Sequence, residues 1–192
     1  MPSGAEIAQA LFGAWRLALL DRGAMRYFDL SHRGVWRSFW AAALCYLPYL
    51  LLVVLRLDAE TIARSGYAQI FLVESIGYVV AWCGFPLLVL GFARMIGREE
   101  QGFDFIIAYN WGQVVQMALF VAVALIDLII LPPRQAGQPP DLLTVAAIFA
   151  ALAYEWFIAL VAIGAGGGIA VAVVALDIGL GFLIGQVAGA LY

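Results

Sequence analysis

Two carboxylates stand alone in long apolar stretches of the chain. Glu155 lies within Leu142–Ile163 and Asp177 within Ile169–Leu191, and neither run contains a Lys, Arg or His. A carboxylate among Leu, Val and Ala is costly to place in hydrocarbon, so it is expected to face protein or water rather than lipid. Upstream, Asn110, Gln113 and Gln116 recur at three-residue steps, a spacing expected to line one side of a helix. Two chemistries fit such a set. If these groups line a cavity, they can bind a proton, a cation or a small polar solute. If they are packed, they hydrogen-bond to one another and hold helices together. Two carboxyls that approach closely are expected to share a proton rather than both ionise.

Other chemistry is not indicated. The chain has no GxSxG, no HExxH, no His pair for haem, no Walker A and no acidic metal motif. No catalytic residue, metal or cofactor is therefore expected, and the chain is read as a non-enzyme. The cluster Gly164-Ala165-Gly166-Gly167-Gly168 joins two apolar runs rather than a strand to a helix, so it is not a nucleotide loop. His32 is the only histidine and sits in a basic stretch with Arg26, Arg33 and Arg37, where a solvated role is expected. Cys45 and Cys83 belong to no CxxC or Cys/His set and read as small hydrophobes. A net charge of −3 gives no basic surface for nucleic acid.

The elements that position these residues follow from hydropathy. The chain is 65% hydrophobic and 12% charged, with a mean hydropathy of +0.98. Soluble domains are nearer ~45–50% apolar and ~25% charged. The expected fold is therefore all-α, a polytopic transmembrane bundle. Five spans are expected, at about Trp36–Leu55, Ile70–Ala93, Phe105–Leu131, Leu142–Ile163 and Ile169–Leu191, each near the ~20 residues that cross ~30 Å of hydrocarbon. Pro48 is expected to kink the first. Residues 1–30 form a separate amphipathic segment, and 31–192 the five-helix domain. In the first segment Ser3 and Glu6 read as a capping box. Glu6, Gln9, Gly13 and Arg16 then make a polar stripe opposite Ile7, Leu11, Phe12, Trp15 and Leu19. That helix either lies in the membrane interface or packs on the bundle. The mixed residues ahead of the first long apolar run are not followed by a small-residue cleavage site, so no signal peptide is expected.

The positive-inside rule orients the chain. Arg16, Arg22, Arg26, Arg33, Arg37, Arg94 and Arg98 fall on one side, and Arg56, Arg64 and Arg134 on the other. An internal N-terminus and an external C-terminus are expected. At ~1.5 Å of rise per residue, Glu155 and Asp177 then lie roughly 10 and 13 Å above the inner boundary, and Asn110, Gln113 and Gln116 roughly 8, 12 and 16 Å. All five share one layer. Glu74 and Asp127 lie nearer the outer boundary, where Arg56, Arg64 or Arg134 is expected to reach them. Gly181, Gly185 and Gly189 form a GxxxGxxxG row that lets another helix approach closely, from this chain or from a second copy. The partners expected are the lipid bilayer and a second copy or another membrane protein.

Three places carry a family likeness. Asp29-Leu30 followed by Gly34-Val35-Trp36 precedes the first span; Phe103-Asp104-Phe105-Ile106-Ile107-Ala108-Tyr109 opens the third; and the last two spans are closely paired across Gly164–Gly168. Together they resemble the bacterial branch of the Yip1 family of five-span membrane proteins. The Tyr-Gly-Pro of the first family motif is absent here, and Asn110-Trp111-Gly112 stands where a proline usually follows the Ala-Tyr pair. The resemblance implies a cytosolic N-terminus and five spans, and eukaryotic relatives act in membrane trafficking with small GTPases. The chain is expected to be an integral protein of a bacterial inner membrane that works through helix–helix or protein–lipid contacts, with a small transporter or ion-coupled permease as the alternative.

Overall fold

A computed structural model describes residues 1–130 and 140–192. These residues form α1 (Gly4–Ala18), a 3₁₀ turn (Arg22–Tyr27), α2 (His32–Ser38), α3 (Trp40–Arg56), α4 (Ala59–Met95), α5 (Glu99–Ile130), α6 (Leu142–Ala162) and α7 (Gly167–Leu191). Five segments are long and apolar enough to cross a membrane: His32–Arg56, Ala59–Met95, Glu99–Ile130, Leu142–Ala162 and Gly167–Leu191. The chain is thus an all-helical multi-pass membrane protein, as its hydropathy implies. The Pro-rich connection that carries Arg134 lies outside the described residues.

Helix α5 is the hub. It packs against α1, α2, α3, α4 and α6, whereas α7 rests on α4 and α6. Every residue from Phe105 to Gly112 is buried, which a helix requires when neighbours surround it on all sides. Gly112 lets α6 come close: a Cβ there would lie 2.8 Å from Ile158 Cδ1. Around this hub the outward faces are apolar, with Leu47, Leu72, Leu87, Ile129 and Phe149 all more than half exposed. Lipid covers such a surface at no hydrophobic cost.

Local signals set the ends of the elements. Ser3 and Glu6 form the expected capping box on α1. Asp58 caps α4 by accepting the Thr61 N–H at 2.7 Å. The left-handed Gly66 (φ +72°) then separates a short lead-in, 59–65, from the span, 67–95. Between α6 and α7, Gly164 (φ +66°) and Gly166 (φ +93°) turn the chain back through backbone conformations that side-chain-bearing residues rarely adopt. Arg98 donates to the carbonyl of Ile163 at 3.3 Å, placing a cation at the negative end of α6.

Of the two alternatives for the N-terminal helix, packing on the bundle is the one seen. Ala10, Gly13, Ala14 and Leu17 recur at three- and four-residue steps and are buried, so the small side packs on the bundle. Phe12, Trp15 and Leu19 stay 46%, 55% and 60% exposed on the other side. The Tyr154 hydroxyl pins α1 to α6 by donating to the Ala14 carbonyl at 2.8 Å.

Candidate functional site

Glu155 on α6 and Asp177 on α7 do meet. Their carboxyl groups are close neighbours where α5, α6 and α7 converge. An ionised carboxylate only accepts, so a hydrogen bond between two carboxyls needs a proton on one of them. Asp177 also accepts from the Tyr109 hydroxyl of α5 at 3.2 Å. The Tyr109 ring is fixed by Phe85 and Phe105, whose centroids lie 4.6 and 5.4 Å away. Glu155 is 2% exposed, and its Oε1 has no hydrogen-bond partner.

The amide ladder is not one face, and this corrects the expected layer. Each three-residue step rotates a side chain by about 60° away from its predecessor, so Asn110 and Gln116 differ by about 120°. Asn110 faces α2 instead, where it donates to the Ser38 hydroxyl at 2.8 Å, and both residues are fully buried. Gln113 is half-buried and Gln116 is buried. Neither hydrogen-bonds to Glu155 or Asp177 among the described residues, and Gln116 Nε2 and Asn110 Oδ1 are buried without partners. Tyr109, Gln113 and Gln116 fall within about 60° of arc, and of these Tyr109 is the one that hydrogen-bonds to Asp177 among the described residues. The spacing of Tyr109, Gln113 and Gln116, four then three residues, was the available signal; the tyrosine's apolar ring concealed it.

At one of the outer acids the contacts found differ from the expectation. Among the described residues Glu74 is reached by two phenols, Tyr49 of α3 and Tyr192 beyond α7, rather than by an arginine. Beside it Tyr46 and Ser75 share a hydrogen bond of 2.8 Å, and Tyr78 donates to the Ala42 carbonyl at 2.6 Å. Arg64 instead donates to the main-chain oxygen of Tyr192 at 2.7 Å. Asp127 accepts from the Thr144 hydroxyl at 3.2 Å. Phenols and hydroxyls suit these depths because they satisfy a carboxyl without bringing a second charge out of water. His32 lies edge-on to Phe103, with ring centroids 5.4 Å apart.

The glycine row has no partner within the described residues. A Cβ at Gly181, Gly185 or Gly189 would meet nothing within 4 Å. Phe182, Leu183 and Val187 are exposed along the same helix at 64%, 61% and 61%. The contact that α7 makes with α4 is through Leu180 and Ile184, which approach Gly84 and Gly77. The small residues at that crossing thus belong to α4, and the α7 row faces outward.

Two cavities flank the bundle, and neither reaches Glu155 or Asp177. One, of about 240 Å³, is a wholly apolar groove between α4 and α7 lined by Val73, Ile76, Val80, Leu183 and Val187. The other, of about 200 Å³, lies between α1, the 3₁₀ turn, α2 and α5 and includes Glu6, Asp29 and Arg37. No family model, curated protein or solved structure matches this chain.

Proposed function

We propose that this chain is a non-enzymatic protein of a bacterial inner membrane that works through helix–helix and protein–lipid contacts, in the manner implied by its Yip1-like sequence pattern. The N-terminus is cytoplasmic and the C-terminus periplasmic, on the arginine distribution. The observation that carries this reading is the outward row Gly181, Gly185 and Gly189 on α7, which no side chain of the described residues covers. Bare helix backbone at four-residue spacing in a membrane allows close packing of a second helix. Glu155 and Asp177 then serve as a hydrogen-bonded seam that holds α6 and α7 to α5. Gly185→Ile tests the reading. In cross-linking of native membranes it is expected to abolish the cross-linked species that contain this chain. An unchanged pattern would contradict it.

A second reading is favoured by one specific observation: Glu155 Oε1 is a buried acceptor with no partner. Such an atom is a place for a proton or cation in transit, and the chain would then be a small ion-coupled permease. In proteoliposomes, Glu155→Gln and Asp177→Asn would abolish flux in that case. If the pair is a seam, both amides are tolerated and any flux is retained.

A further inference from the structure

The cavity beside α1 has the lining of a binding site. We propose that it holds a phosphoethanolamine group, that is, a primary ammonium close to a phosphate. Its volume of about 200 Å³ is below the ~300–1,000 Å³ of sites for drug-sized ligands, so it takes a headgroup-sized fragment.

The walls carry both charges that such a fragment needs. Glu6, Asp29 and Arg37 border the space, together with Gln9, Tyr27 and Trp111. Arg37 meets both acids through the same nitrogen: Nη1 bonds to Glu6 Oε1 and lies 3.7 Å from Asp29 Oδ2. That leaves Nε and Nη2 of the guanidinium as donors for a phosphate. It also leaves Asp29 Oδ2 an acceptor, because 3.7 Å is beyond hydrogen-bond reach. Asp29 Oδ1 is already used by the Ser31 N–H at 3.2 Å. Two carboxylates against one guanidinium make the lining net negative. A simple anion is therefore repelled, and a group that brings its own ammonium is matched. Trp111 adds aromatic surface, which favours a cation, whereas the Tyr27 ring already has the Arg26 guanidinium over it at 5.1 Å. Trp111 is 4% exposed.

The location fits a lipid source. Asp29 and Arg37 flank the start of the first span at His32. Alongside them α1 presents the exposed Phe12 together with Trp15, a residue type that settles at headgroup level. A soluble amine phosphate carries the same chemistry, and the test separates the two sources. These residues are distinct from the α7 glycine row, so failure of either proposal leaves the other standing.

The test titrates the purified, delipidated full chain with short-chain phosphatidylethanolamine, short-chain phosphatidylglycerol and free O-phosphoethanolamine, with binding followed by calorimetry. The ethanolamine lipid is expected to bind about tenfold more tightly than the glycerol lipid, a difference of about 1.4 kcal/mol. Asp29→Asn keeps the Ser31 contact but removes the charge, and is expected to erase that preference. Gln9→Trp plugs the cavity from the exposed side of α1, and is expected to weaken binding of the ethanolamine lipid by a similar factor. Both variants are checked for unchanged helicity and melting. Free O-phosphoethanolamine that matches the lipid's affinity would assign a soluble source; weaker binding would assign the membrane. Equal affinity of the native chain for the two lipids, or an unaltered preference in Asp29→Asn, would overturn the proposal.

Discussion

Tyr109 on α5 donates its hydroxyl to Oδ1 of Asp177 on α7 across 3.2 Å. Because α7 otherwise rests on α4 and α6, this hydrogen bond is a direct tie from the last helix to the hub. The phenol is held in place by Phe85 and Phe105, so little side-chain freedom is lost in making it. The same aspartate neighbours Glu155. One tyrosine and two acids thus join three helices at one depth.

Tyr109→Phe keeps the ring and its stacking but deletes the donor. Interhelical hydrogen bonds in membrane proteins average ~0.6 kcal/mol and reach ~1.7. A loss of about 0.5–2 kcal/mol is expected in reversible unfolding from mixed micelles. A stability equal to that of the native chain would mean that the tie contributes nothing.

Gly34 is fixed by its surroundings. A Cβ there would lie 1.7 Å from the carbonyl oxygen of Asp29, which is backbone and cannot rotate away. Gly34→Ala is therefore expected to cost about 3 kcal/mol or more by overpacking. At Gly4, where nothing lies within 4 Å, the same change is expected to stay within about 0.5 kcal/mol. The comparison is read from melting curves of the two variants side by side. It also gives a physical reason for the glycine in the Asp29…Gly34 pattern before the first span.

The docking of α1 is expected to depend on acid. The Ser3 backbone N–H and hydroxyl, then Arg37, hold the Glu6 carboxyl below its ordinary range. The Gly23 N–H, then Arg16, do the same for Asp21. A group whose folded value is lowered contributes stability above the unfolded value, and that contribution is lost as pH falls through the folded one. Hydrogen exchange of residues 4–27 is thus expected to rise below about pH 4, while the spans keep their protection. Glu6→Gln should flatten much of that rise. Exchange that is independent of pH after correction for the intrinsic rate would refute this link.

Much of the architecture was legible because it rests on local rules. Five apolar runs gave five candidate spans, and Ser3, Asp58 and Gly164 marked ends and turns through their own backbone chemistry. The meeting of Glu155 and Asp177 was legible from depth alone, since two helices joined by a short turn bring matching depths together. Rotation was harder. The three-residue steps of Asn110, Gln113 and Gln116 drift around α5, and Asn110 ended on Ser38. The phenols on Glu74 come from residues 25 and 118 positions away, a pairing that only the packed bundle defines. Among the described residues phenols stand where an arginine was expected, because a carboxyl out of water needs a donor, not necessarily a charge.

Whether the seam of Glu155 and Asp177 is dry decides between contact and transport. The direct measurement is thiol accessibility in membranes, with Glu155→Cys and Asp177→Cys placed singly in a chain whose Cys45 and Cys83 are replaced. Glu155 is 2% exposed, so Glu155→Cys is expected to stay unmodified by a small water-soluble thiosulfonate until the protein is unfolded. Rapid modification of Glu155→Cys in the folded chain from either side would contradict the seam and favour the permease.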